Sequence, residues 1–132
     1  MIVLDASAVI EWLLQTPKGA AIEARLFSKT AQPRCHAPHL LDVEVAQVLR
    51  EHVARGVMTD VRGREALQDF LDLPLVRYPH DLLLPRVWEL RKNLTAYDAV
   101  YVALAEALGF PLVTCDANIA GAPGHHAQVD VV

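Results

Sequence analysis

The apolar positions of this chain alternate between two spacings, and that alternation predicts its elements. Ile2 to Leu4 is a short β-branched and apolar run ending in Asp5, which reads as a parallel strand buried on both faces. A helical spacing follows, capped by Ser7 and carrying Val9, Ile10, Trp12, Leu13 and Leu14, until Pro17 and Gly19 break it before a second helical segment from Ala20 to Phe27. Arg34 to Ala37 is a candidate second strand. From Leu40, the residues Leu41, Val45, Val48, Leu49 and Val53 recur at helical spacing, and Gly56 closes that helix. Thr59 or Asp60 opens a helix through Leu71, Leu75 to Tyr78 is a strand, and Leu82 to Leu90 another helix. Thr95 then caps a helix that holds Tyr97, Tyr101, Leu104, Ala105 and Leu108 and ends at Gly109 and Pro111. Leu112 to Thr114 followed by Asp116 repeats the opening pattern, and Gln128 to Val132 is a last edge strand.

Strands that alternate with helices in this way predict an α/β protein with a central parallel sheet covered on both faces, and such sheets bind ligands beyond the carboxyl ends of their strands. The 132 residues suit one domain spanning 1–132, with 53% apolar residues to fill its core. No internal repeat, linker or low-complexity tract interrupts it. The first residues lack the basic and long apolar stretches of a secretory signal, and no apolar run approaches the roughly 18 residues that a membrane span needs. A cytosolic location without membrane attachment is expected. Cys35 and Cys115 are too few for a disulfide framework and are expected as free thiols without a catalytic role.

The formal charge of −4 is the wrong sign for a protein that binds nucleic acid through a basic surface. Four acids change that picture. Asp5 and Asp116 stand at strand ends, where this architecture opens its crevice, although each can also cap the helix that follows. Glu44 lies on or beside the apolar stripe of its helix, where an unpaired carboxylate is costly, so it is paired with an arginine or aimed at a cation. Asp98 fits a capping box begun by Thr95. Capping and ion pairing would explain the acids one at a time; a single metal site explains all four together. Hard oxygen donors without a convergent Cys or His set select magnesium or manganese. Such ions polarise a phosphate and acidify water, and a neighbouring carboxylate can take the proton. Of the 16 acids against 12 lysines and arginines, setting these four aside leaves an even balance, and a bound cation reverses the local field.

With these residues in view, the chain resembles the PIN-domain ribonucleases, and within them the VapC-type toxins of toxin–antitoxin pairs. The resemblance rests on Val3-Leu4-Asp5-Ala6-Ser7-Ala8, on Pro38 followed by Glu44, on Leu94-Thr95-Ala96-Tyr97-Asp98-Ala99 running into Tyr101-Val102-Ala103-Leu104-Ala105, and on Leu112-Val113-Thr114-Cys115-Asp116. It implies a Rossmann-like three-layer α/β/α sandwich, magnesium- or manganese-dependent endonuclease cleavage of RNA, a cognate VapB-type antitoxin, a homodimer and higher toxin–antitoxin assembly. It also implies that Asp5 and Asp98 are the principal metal ligands, that Glu44 and Asp116 complete an acidic quartet, and that Ser7 and Thr114 line the site. After Asp116, where many relatives place a basic residue, this chain has Ala117 and Asn118. Asn118 can hydrogen-bond but cannot neutralise phosphate, which leaves Arg91 and Lys92 as candidates for RNA contact.

Other features read as structural. Trp12 and Trp88 are expected in the core or an interface, the adjacent His125 and His126 would face opposite ways on an extended chain, where neighbours rarely share one ion, and His36 and His39 lack a partner set. Three rival classes compete. A haloacid-dehalogenase-type phosphatase needs a second Asp where Ser7 stands, and a phospho-receiver domain needs a central phosphoacceptor Asp and a late Lys that are missing here. A non-catalytic binding domain would keep clustered carboxylates that repel one another for no use. Within the family, a housekeeping RNA-processing nuclease is the alternative to a toxin.

Overall fold

A computed structural model describes residues 1–30 and 32–132. In order along the chain the elements are β1 (Ile2–Leu4), α1 (Ala6–Leu13), α2 (Pro17–Leu26), β2 (Cys35–Pro38), α3 (Leu40–Ala54), α4 (Asp60–Asp72), β3 (Leu75–Tyr78), a 3-10 turn (Asp81–Leu83), α5 (Leu84–Glu89), α6 (Ala96–Leu108), β4 (Leu112–Thr114), α7 (Ala117–Gly121) and β5 (Val129–Val131). Every strand pairing is parallel, and the five strands lie in the order β3-β2-β1-β4-β5.

That order fixes where the helices go. Right-handed crossovers from β1 to β2 and from β2 to β3 put α1 to α4 on one face, and the return from β3 across to β4 and β5 puts α5, α6 and α7 on the other. The α/β/α sandwich expected from the sequence is therefore the observed one. The chain reverses direction across the sheet between β1 and β4, and there the crevice opens at the strands' carboxyl ends. Val3, Leu4, Leu112 and Val113 of these two strands are wholly buried, because helices cover both faces.

Several local expectations shift. The cap of α1 is Asp5, whose carboxylate accepts from the Ala8 N–H, and not Ser7. Pro17 starts α2 instead of ending a helix before it, because a proline at the first helical position sacrifices no bond and Thr16 caps the Gly19 N–H. Gly19 serves close approach: a Cβ there would lie 2.0 Å from the Glu11 carbonyl oxygen, so only glycine lets α2 fold back onto α1. The second strand is Cys35–Pro38, one residue later than expected, and the Leu82 to Leu90 helix splits into the 3-10 turn and α5. Trp88 is 68% exposed, which excludes it from the core, and the Arg91 guanidinium lies 4.7 Å above its ring. Trp12 packs on the core and on Phe27. Cys35 and Cys115 are free thiols, and burial pushes the Cys35 thiol up to about 11, away from reactivity.

Candidate active site

The four acids singled out in the sequence arrive at one edge of the sheet from four elements. Asp5 follows β1 and Asp116 follows β4, at the two strand ends that flank the switch point. Glu44 lies near the start of α3, which leaves the carboxyl end of β2, and Asp98 lies in the first turn of α6. Their fields overlap. Asp116 acts on both Asp5 and Asp98, Asp5 acts on Asp98 and Glu44, and Asp98 acts on Glu44.

Asp5 is the deepest, 4% exposed, and is held by a local network. Ser7 Oγ donates to Asp5 Oδ1 at 2.7 Å, the Ala8 N–H donates to the same oxygen at 3.0 Å, and Thr114 Oγ1 donates to Asp5 Oδ2. Each hydroxyl has one proton and spends it on Asp5; the lone pairs left over accept from the backbone, Ser7 from the Cys115 N–H and Thr114 from the Asp116 N–H, both at 2.9 Å. Ser7 and Thr114 thus bind the turn after β4 to the turn after β1 and fix the Asp5 carboxylate between them. Asp116 caps α7 through the Asn118 N–H at 2.9 Å. Asn118 itself is exposed, and among the described residues only its backbone enters the network. The Asp98 N–H donates to Thr95 Oγ1 at 3.2 Å, so the predicted Thr95 cap is present.

Capping is therefore real at Asp5, Asp116 and Thr95, yet it does not account for the electrostatics. Burial raises the pKa of Asp5 in spite of its three donors, with Asp116 adding to the rise. Burial likewise raises Asp98, and Asp116 and Asp5 push it further. Glu44 is raised by burial against the lowering effect of a bond from Tyr101, with Asp98 and Asp5 adding to the rise. None of the ion pairs among the described residues includes any of the four. The arginine partner weighed for Glu44 is absent among those residues; its side-chain partner is the Tyr101 hydroxyl, at 2.5 Å. Tyr101 is the residue that reading the sequence missed. The available signal was its position three residues after Asp98, which puts the two on one side of α6.

As the side chains stand, no three His, Cys, Asp or Glu among the described residues are drawn together tightly enough to wrap one ion. The donor chemistry nevertheless fits magnesium or manganese: the acids are hard, oxygen-only and mutually repelling, and magnesium keeps several waters while taking only one or two carboxylates directly. His36 and His39 stay outside the pocket. His36 is buried against Tyr78 and Phe110 with Nδ1 2.7 Å from the Tyr78 hydroxyl, and His39 stands edge-on to His80. His125 and His126 point to separate partners, the Ile119 carbonyl and Glu106.

A parallel sheet in this order, with four carboxylates gathered at its switch point, defines an α/β protein with an acidic site at the carboxyl ends of its strands. The PIN-domain family model matches residues 2–124. The chain is 45% identical over 132 residues to Ribonuclease VapC12 of Mycobacterium tuberculosis, covering 100% of this chain and 99% of that one. Its fold is shared with VapBC2 from Rickettsia felis bound to a DNA fragment from their promoter (TM-score 0.72, 15% identity, 99% and 98% of the two chains). A toxin–antitoxin complex from Klebsiella pneumoniae is similar too (TM-score 0.64, 20% identity, 99% and 97%). The chain belongs to the PIN-domain family, in its VapC branch. No helix among the described residues is long and apolar enough to cross a membrane.

Proposed function

We propose that this chain is an endoribonuclease dependent on magnesium or manganese and that it acts in the cytoplasm as the toxin of a toxin–antitoxin pair. The observation that carries the reading is the convergence of Asp5, Glu44, Asp98 and Asp116 on the switch point with no cationic side chain paired to them among the described residues. The full-length likeness to a ribonuclease and the shared fold of a toxin–antitoxin complex support the activity and the partner.

Asp5 and Asp98 would hold the metal, with Glu44 and Asp116 completing the set. When bound, the cation supplies positive charge for the phosphate oxygens and lowers the pKa of water. The chain's own part is positioning and proton transfer. Ser7, Thr114 and the Ala8 N–H hold Asp5 rigid, and a pocket carboxylate, its proton affinity raised by burial, takes the proton that the attacking water loses as its oxygen joins phosphorus. The phosphorus–oxygen bond to the leaving ribose oxygen breaks, and that oxygen picks up a proton. Outside the pocket, Arg91 and Lys92 are exposed and carry no acid partner among the described residues, so they are free to receive backbone phosphates on the approach to Asp98. A VapB-type antitoxin would dock on exposed apolar helical positions such as Val61, Leu67 and Leu71 of α4, and a homodimer is expected of the free toxin.

Incubation of a mixed single-stranded RNA with the purified protein tests the reading, with magnesium, with manganese and with chelator, beside Asp98→Asn prepared in the same way. Cuts that require metal and vanish in the variant are expected. Cleavage that survives in Asp98→Asn would overturn the site, and the absence of cleavage by folded, antitoxin-free protein would count against the activity.

A further inference from the structure

We infer that Tyr101 is a positioning residue of the acidic pocket, holding Glu44 in place through a neutral donor that leaves the pocket's negative charge intact; this rests on the nuclease reading above. Tyr101 is 2% exposed and is among the largest wholly enclosed side chains. A phenol that deep needs a partner, and its single proton goes to Glu44 Oε1 at 2.5 Å. Glu44 Oε2 has no hydrogen-bond partner among the described residues, and Asp98 and Asp5 act on the Glu44 carboxylate.

The bond joins two faces of the sandwich. Glu44 belongs to α3 and Tyr101 to α6, which pack on opposite sides of the sheet, so the contact ties the layers together beyond the strand ends. The same short stretch of α6 delivers Asp98 and, three residues on, the group that fixes an acid from the other layer. The type of donor matters. An arginine or lysine at this place would also hold Glu44, but it would cancel one of the negative charges on which cation binding depends. With no donor, a half-buried Glu44 is free to swing away from acids that repel it. Tyrosine restrains the carboxylate without that neutralisation, in the way that hydrogen-bonded neighbours commonly orient metal ligands.

Tyr101→Phe removes one oxygen and keeps the ring that fills the core, and its melting temperature checks that the fold is retained. Manganese binding is measured by titration calorimetry, and RNA cleavage is followed as a function of magnesium concentration. Manganese affinity should fall about tenfold, the scale found when a ligand-orienting hydrogen bond is removed. The magnesium needed for half-maximal cleavage should rise in parallel, while kcat at saturating magnesium is largely recovered; a merely structural role would lower stability without separating the two. In a Glu44→Gln background the tyrosine substitution should change manganese affinity no further. Unchanged affinity in Tyr101→Phe, or a full further loss in the Glu44→Gln background, would overturn the assignment. A parent protein that neither binds manganese nor cleaves RNA removes the nuclease reading and this inference together, whereas a parent that does both beside an indistinguishable Tyr101→Phe variant removes only the inference.

Discussion

Two enclosed acid side chains of this protein have opposite surroundings. Asp5 is 4% exposed and the Glu106 side chain 6%. At Glu106, Arg86 donates from Nε at 2.8 Å and from Nη2 at 3.1 Å, the His126 N–H donates at 3.0 Å, and Arg86 also holds the Gly124 carbonyl. Burial opposes ionisation there, yet these bonds outweigh it and hold Glu106 below the usual carboxylate range. Asp130 is treated in the same way by Arg25, at 2.7 Å. Among the described residues the acids at the switch point receive hydroxyl and amide donors but no cationic side chain, and Asp5, Glu44 and Asp98 are all displaced upward. Burial and partners together therefore set the state of these acids. An internal arginine makes Glu106 a structural clasp between α5, α6 and the segment before β5, whereas among the described residues no arginine or lysine pairs with the acids at the switch point.

The widest separation between the two regions is expected in activity. Asp5→Asn or Asp98→Asn should reduce RNA cleavage by at least about a hundredfold, the scale on which one preorganised electrostatic group contributes. The melting temperature should hold or rise, since the change relieves repulsion. A calorimetric melt beside the cleavage assay reads both, and a variant that loses stability with activity would erase the distinction. Arg86→Met should do the reverse, leaving cleavage by the folded protein in place and costing about 2 kcal/mol in urea unfolding, less than the ~3–5 of a fully buried pair because Arg86 is 31% exposed.

The signs also differ with pH. A lowered carboxylate such as Glu106 adds stability above its unfolded pKa and loses it as pH falls through the folded value, so Arg86→Met should flatten the acid limb of the stability curve. A raised carboxylate such as Asp98 costs stability as pH climbs from the unfolded to the raised folded pKa, so the advantage of Asp98→Asn should be absent in acid and grow toward neutrality. The smallest effect belongs to the surface. Replacing Arg91 and Lys92 by alanine should weaken RNA binding and reduce its logarithmic salt slope by about 0.7 for each phosphate that is no longer neutralised, read from binding titrations at several salt concentrations.

The sheet and the acids were legible in the sequence because both depend on short-range pattern. A short apolar run ending in aspartate, found at Asp5 and again at Asp116, marks a buried strand and the edge at which it stops. What the pattern could not convey was which surfaces meet. Tyr101 and Glu44 are 57 positions apart, and periodicity put both on apolar faces without saying that those faces touch over the sheet edge. Helical spacing makes Ser7 a cap and the resemblance makes it a lining residue of the site; Asp5 takes the cap, and Ser7 bonds Asp5 and the Cys115 N–H. The spacing of Trp88 allows core or an interface; α5 is a single short helix with one side against α6, and the tryptophan falls on its outer side, which excludes the core. Gly19 carried the signature of a helix break, whereas its use is the close packing of α1 on α2.

Calorimetric titration of manganese into the parent protein, Asp98→Asn and Arg86→Met, all at neutral pH and free of antitoxin, tests the contrast most directly. If the pocket is an uncompensated acid cluster built for a cation, the parent and Arg86→Met bind manganese alike and Asp98→Asn binds at least about tenfold more weakly, the scale on which a disturbed ligand shell acts. Equal binding by the parent and Asp98→Asn, or no binding by the parent, would contradict the account.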